Sequence, residues 1–139
     1  GTGYVHSVTA TAANVSDITE AVHLMRPDDT AGWGDAGYLG VDKREEITGD
    51  PHLAGVTWHI AARKSQLARM HPHERAIESR KAGVRAKVEH AFLIVKRDFG
   101  FTKTRYRGLA KNLHRLHVAF ALANWLMRAR AVALTTATA

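Results

Sequence analysis

Cysteine is absent from the chain, so neither disulfides nor thiolate zinc sites can hold it together, and packing alone must. That agrees with a reducing compartment. No run approaches the ~18 consecutive apolar residues of a membrane span, and the opening Gly-Thr-Gly-Tyr lacks the charged and apolar regions of a signal peptide. A cytoplasmic address is expected. Proline is scarce, with three in all, and there is neither an internal repeat nor a low-complexity linker. The first residue is Gly1 rather than Met, and a β-branched stretch follows at once, the pattern expected of a fragment.

What is present fits one domain spanning residues 1–139, since 45% hydrophobic content is enough to bury a single core at that length. Twenty Lys and Arg against thirteen Asp and Glu leave a formal net charge of +7, and the pI is near 10.1. Such an imbalance favours polyanionic partners, nucleic acid first, although a basic surface on an otherwise ordinary protein gives the same number.

Along the chain, Tyr4, His6, Val8 and Ala10 alternate with Val5, Ser7 and Thr9, which predicts a strand. Asn14 or Ser16 is placed to cap a short helix reaching about Met25, stopped by Pro27. The glycine-rich run from Ala31 to Leu39 predicts a short buried strand ending at or just before Asp35, and a helical turn is expected near Val41. After Gly49, Asp50 and Pro51, residues Val56 to Ala61 predict a second strand with Trp58 and Ile60 on one face. From about Glu74 to Asp98 there is no proline and one glycine, and Val84, Val88, Phe92, Val95 and Phe99 recur at helical spacing. A final helix is expected from about Leu109 to Val132, with Leu109, Leu113, Leu116, Phe120, Ala123 and Met127 as its core stripe and LTTATA as a frayed tail. Trp33, Trp58 and Trp125 each lie in an apolar segment and are expected in the core.

Four features carry chemistry. Asp35 has Gly34, Ala36 and Gly37 as neighbours, which leaves its carboxylate open to a metal or a phosphate; a turn or a helix cap uses the same residues. Arg85, Glu89 and Lys96 are spaced by four and seven, so at ~100° per residue they share one helix face beside the apolar stripe. An intrahelical ion-pair series has the same spacing. The loop FTKTRYRG sets Lys103, Arg105 and Arg107 around Tyr106, with Lys111 just beyond, a composition suited to backbone-phosphate and base-stacking contacts and equally to a solvated basic loop. Finally, His71, His73 and Glu74 in HPHE, and the pair His114 and His117, invite zinc. Two histidines at a three-residue step are two ligands at most, and with no cysteine the zinc reading is set aside.

Taken in order, SVTATAANVSDIT, GWGDAGYLG, RAKVEHAFLIVKRDFGF and TKTRYRGLAKN resemble the C-terminal half of the DDE transposases of the bacterial insertion-sequence-five type, over about Val5 to Ala123. The order and spacing of four motifs are far more specific than any one of them. The resemblance implies an α/β fold, part of a ribonuclease H-like catalytic domain, in which a few strands precede long C-terminal helices. It implies that Asp35 is the second Asp of the catalytic set and Glu89 the Glu, both binding Mg²⁺ or Mn²⁺. The family's helix signature is Tyr, two residues, Arg, three residues, Glu, six residues, Lys; Arg85, Glu89 and Lys96 fall on it, and Ala82 stands where the Tyr should be. The first catalytic Asp and the N-terminal DNA-binding region are expected upstream of the counterpart of Gly1. The implied partners are DNA, as element ends and target, and further copies of the chain in a synaptic complex near the bacterial nucleoid. Arg85, Lys96, Lys103, Arg105, Tyr106, Arg107 and Lys111 are the expected DNA contacts. A catalytically inactive, DNA-binding truncated transposase or inhibitor is the alternative, and a basic RNA-binding accessory protein is a third reading.

Overall fold

The computed structural model describes residues 3–137 and combines helices with one small sheet. Two compact units form, one from Ala13–Ala86 and the other from Gly1–Ala12 with Lys87–Ala139.

In the first of these units a 3-10 turn, Asp17–Glu20, leads into α1 (Ala21–Leu24). The sheet follows as β1 (Ala31–Gly34) and β2 (Thr57–Ile60), paired in parallel with Gly32 opposite Trp58 and Gly34 opposite Ile60. A parallel pair needs a crossover, here built from 3-10 turns and the short helices α2 (Glu45–Thr48) and α3 (Pro51–Ala54). The Asp50 carboxylate caps α3 by accepting from the backbone N–H groups of His52 and Leu53, with Pro51 in the first turn where its missing donor costs nothing. Ala21, Val41, Ile47 and Leu53 make the buried core, flanked by Tyr38, Trp58 and Ile60. Gly32 is a packing requirement: a Cβ there would lie 2.6 Å from the Trp58 ring. Gly32→Ala is therefore expected to displace that ring and to destabilise the unit by about 1–3 kcal/mol, measured by urea denaturation. Beyond β2 come α4 (Lys64–Leu67) and α5 (Pro72–Arg97).

The second unit takes up the later part of α5 and all of α6 (Leu109–Ala137). Ala91, Ile94 and Val95 of α5 pack on Ala119, Phe120 and Ala123 of α6, and the Phe92 ring meets Phe120 edge to face at 4.9 Å. Small residues at Ala91, Ala119 and Ala123 leave room for the large ones between them.

Several expectations need correction. Tyr4 to Ala10 is not a strand. Side chains of α6 meet its backbone at Val5 and Val8: Asn124 accepts from the Val5 N–H at 2.9 Å and donates to the Val5 carbonyl at 2.7 Å, and a His117 ring nitrogen lies 3.2 Å from the Val8 carbonyl. The expected stripe of α5 holds at Val95, which is buried, and at Phe99, which packs on the same core, but Val88 and Phe92 are about half exposed while Ala91 and Ile94 are buried. Trp33 and Trp125 are not core: Trp33 is 42% exposed and Trp125 70%. Trp33 instead stacks on His59, with ring centroids 4.1 Å apart. The tail expected to be frayed is helical as far as Ala137, and the hydroxyls of Thr135 and Thr136 bond back to carbonyls one turn earlier. Thr138 and Ala139, also in that expectation, lie outside the described residues.

Candidate active site and nucleic acid interface

Asp35 follows directly on β1 and is exposed. Its Oδ1 accepts from the Gly37 N–H at 2.8 Å and caps the 3-10 turn Ala36–Tyr38. The capping role foreseen for it is real, but it occupies one carboxylate oxygen and leaves the group at the surface.

A cleft of about 750 Å³ opens beside Asp35. Arg63, Lys64, Arg75 and Arg85 line it together with Asp35 and Glu78. Fifty positions separate Asp35 from Arg85 in sequence, and the fold brings both to this one surface. Ala82, which stands where the resemblance calls for Tyr, also lines it. The second carboxylate of the cleft has a structural task. Glu78 accepts from the Ala62 N–H at 2.9 Å and pairs with the Lys81 ammonium at 2.7 Å, which itself donates to the Ile60 carbonyl at 3.0 Å. These contacts tie α5 to the end of β2. The Ala62 N–H, then Lys81, hold the Glu78 carboxyl below its ordinary pKa of 4.5. A depressed pKa gives stability that is fully present above the ordinary value and is lost as pH falls through the folded one. Glu78→Gln is accordingly expected to flatten the acid limb of a stability-against-pH profile, measured by thermal melts below about pH 5.

Glu89 and Lys96 lie on the part of α5 that belongs to the other unit, and both are exposed. The helical spacing of Arg85, Glu89 and Lys96 holds, because α5 runs unbroken through all three. Among the described residues no group of three His, Asp or Glu side chains is gathered as a metal site.

The loop between α5 and α6 carries the expected cations. Lys103, Arg105, Tyr106, Arg107 and Lys111 are all exposed. It is shaped rather than slack. Asn112, only 7% exposed, accepts from the N–H groups of Arg105 and Tyr106 at 3.2 Å each and donates to the carbonyls of Tyr106 and Gly108 at 2.6 and 2.7 Å. Arg115 adds a second anchor, donating to the Gly100 carbonyl at 3.2 Å with its guanidinium 4.8 Å over the Phe101 ring. Gly100 and Gly108 take positive φ at the two ends of the loop, a conformation that favours glycine. Asn112 and Arg115 went unnoticed in the sequence, yet a signal exists. Asn112, Leu116, Ala119 and Ala123 follow one another at helical spacing, so an amide falls on a stripe otherwise apolar. Asn112→Ala is expected to cost about 1–3 kcal/mol in thermal or urea melts, because four backbone groups lose their partner together.

The family described as a transposase DDE domain matches residues 1–125. The chain belongs to this family. No solved structure matches it. For this transposase domain the match spans both the Asp35 cleft and the basic loop. Its mixture of helices with two parallel strands is compatible with part of a DDE domain. No helix among the described residues is long and apolar enough to cross a membrane.

Proposed function

We propose that this chain is the C-terminal portion of a ribonuclease H-like transposase catalytic domain of the insertion-sequence-five type, acting in metal-dependent DNA strand cleavage and strand transfer. The observation that carries the reading is the shared cleft. Asp35 at the end of β1 and Arg85 of the helix signature, from motifs far apart in sequence, line one surface with Arg63, Lys64 and Arg75. A carboxylate among cations suits a phosphodiester, whose charge the arginines neutralise while the acid takes part in the chemistry.

Asp35 and Glu89 are the residues assigned to hold Mg²⁺ or Mn²⁺, and their donor chemistry fits, since hard cations prefer carboxylate oxygen and both groups are exposed. When bound, such ions polarise phosphoryl oxygens and make bound water more acidic. The chain's own residues do the rest. The Gly37 N–H fixes the Asp35 carboxylate at one oxygen and leaves the other for ligation. Arg63, Lys64, Arg75 and Arg85 hold the backbone phosphates beside it. Lys96, Lys103, Arg105, Arg107 and Lys111 extend the contact along DNA, and Tyr106 offers a stacking surface. No residue here is assigned the role of the first Asp in the catalytic set, so full activity is expected only where that carboxylate is supplied. The acting form is a multimer on paired element ends, and residues 1–139 serve as one functional domain.

The test is magnesium-dependent nicking of an element-end duplex by a transposase carrying this chain, with Asp35→Asn and Glu89→Gln in parallel. Loss of nicking in both, with duplex binding retained, supports the assignment; undiminished nicking in either overturns it. Salt-sensitive DNA binding that survives both substitutions, with no metal-stimulated reaction in the parent protein, identifies instead a non-catalytic DNA-binding form.

A further inference from the structure

Charge in this chain is segregated. Residues 1–98 hold thirteen Lys and Arg and all thirteen Asp and Glu, and so balance; the seven cations beyond them carry the whole formal net charge of +7. Within that acid-free region a second cleft, of about 530 Å³, lies between the loop and α6. Its wall is largely apolar, with Phe99, Tyr106, Val118 and Leu122 among the residues lining it, and Lys111, His114 and Arg115 add polar groups. Tyr106 is 52% exposed, while its backbone N–H and carbonyl are both held by Asn112, so the ring is presented from a fixed support. Arg115 brings a cation held in place to the same lining: it donates to the Gly100 carbonyl at 3.2 Å and lies over the Phe101 ring, so a positive charge stands beside the apolar wall where an anionic oxygen would be drawn.

We propose that this cleft binds an unpaired nucleotide of single-stranded DNA, with the base against Tyr106 and Leu122 and the flanking phosphates on Lys111 and Arg115. In a duplex each base keeps its π-face stacked on its neighbours, so an aromatic and aliphatic wall inside a concave site is useful only to a base that has left the stack. The cationic residues then take the phosphates on either side of it. A volume of about 530 Å³ admits a nucleotide but not a folded partner. The proposal rests on the DNA reading above and adds to it a second, strand-state-specific site in the Lys87–Ala139 part of the chain.

The experiment is fluorescence anisotropy of the whole 139-residue chain with a labelled 12-nucleotide single strand and with its duplex, in EDTA, over a series of salt concentrations. The single strand is expected to bind at least fivefold more tightly than the duplex. Tyr106→Ala is expected to weaken single-strand binding about tenfold with the salt slope unchanged, because a stacking contact releases no counterions. Tyr106→Phe should retain the affinity. Lys111→Ala should lower the magnitude of the slope by about 0.7, the share of one phosphate on a single strand. Leu122→Glu, a change at a residue 43% exposed, should abolish the preference for the single strand while leaving the helical circular dichroism intact. The cleft proposal falls alone if duplex binding is normal but Tyr106→Ala changes single-strand affinity by less than twofold. It falls also if an RNA strand of the same sequence binds more tightly than the DNA, or if polyglutamate displaces the oligonucleotide as well as unlabelled DNA does. If neither DNA form binds at low salt, the DNA reading and this proposal fall together.

Discussion

Asp35→Asn is expected to lower magnesium-dependent strand cleavage by a factor of about 10³ or more, in a transposase carrying this chain. The amide is nearly the shape of the acid, and its oxygen still accepts from the Gly37 N–H that now meets Oδ1. Local structure should therefore survive. What disappears is the negative charge, and with it the oxygen proposed to ligate the metal, in a cleft whose other charged lining residues are Arg63, Lys64, Arg75, Arg85 and Glu78. Electrostatic stabilisation by a bound metal is worth several kcal/mol at the transition state, and each 1.36 kcal/mol is a factor of ten in rate. Duplex affinity should hold or rise slightly, because removing an acid from a cationic surface helps phosphate binding. A parallel loss of affinity and rate would mark Asp35 as structural and overturn its catalytic assignment. Glu89→Gln should reproduce the rate loss.

Phe120→Ala carries the largest stability effect expected in the chain, about 3–5 kcal/mol, out of a total that for domains of this size is about 5–15 kcal/mol. Phe120 is 2% exposed, packs among Ala91, Ile94, Val95, Ala119 and Ala123, and meets the edge of Phe92. Its alanine-rich neighbours are too small to close the gap, so most of the cavity should persist. Urea denaturation followed by the helical signal should show a fall in midpoint with little change in slope. Trp125→Ala is the control. That residue is larger and looks more central in the sequence, yet at 70% exposure its removal should change stability by no more than about 0.5 kcal/mol. Equal effects from the two substitutions would contradict the packing described here.

The contrast between Phe120 and Trp125 explains what was legible beforehand. Long periodic segments without proline revealed α5 and α6, and turn chemistry around Gly49, Asp50 and Pro51 separated the two strands correctly. The position of Asp35 just after β1 followed from small neighbours and the short apolar run before it. Periodicity does not say which side of an amphipathic helix finds a partner, so the buried face of α5 was misjudged at Val88 and Phe92, though Val95 and Phe99 do meet the core. It also cannot tell an extended segment that pairs with a strand from one that pairs with side chains, which is the case at Val5 and Val8. Asn112 escaped notice because its worth lies in four bonds to a loop whose shape has no local sequence code. For the candidate site, the individual residues could be named from their motifs; the meeting of Asp35 with Arg85 in one cleft needed the fold.

The bond from Val5 to Asn124 spans 119 positions, and it sets an order of events during synthesis. The unit Ala13–Ala86 closes on contacts made within itself, so it can mature as soon as it clears the ribosome. The Val5 N–H and carbonyl take their partner from α6, so these two bonds form only once Asn124 has been made. At about 5–20 residues per second, the 119 positions from Val5 to Asn124 take roughly 6–24 s to translate. For that interval the nascent chain lacks the two bonds that fix the Val5 backbone in the fold, the period in which a chaperone or a neighbouring polysome would meet this β-branched segment.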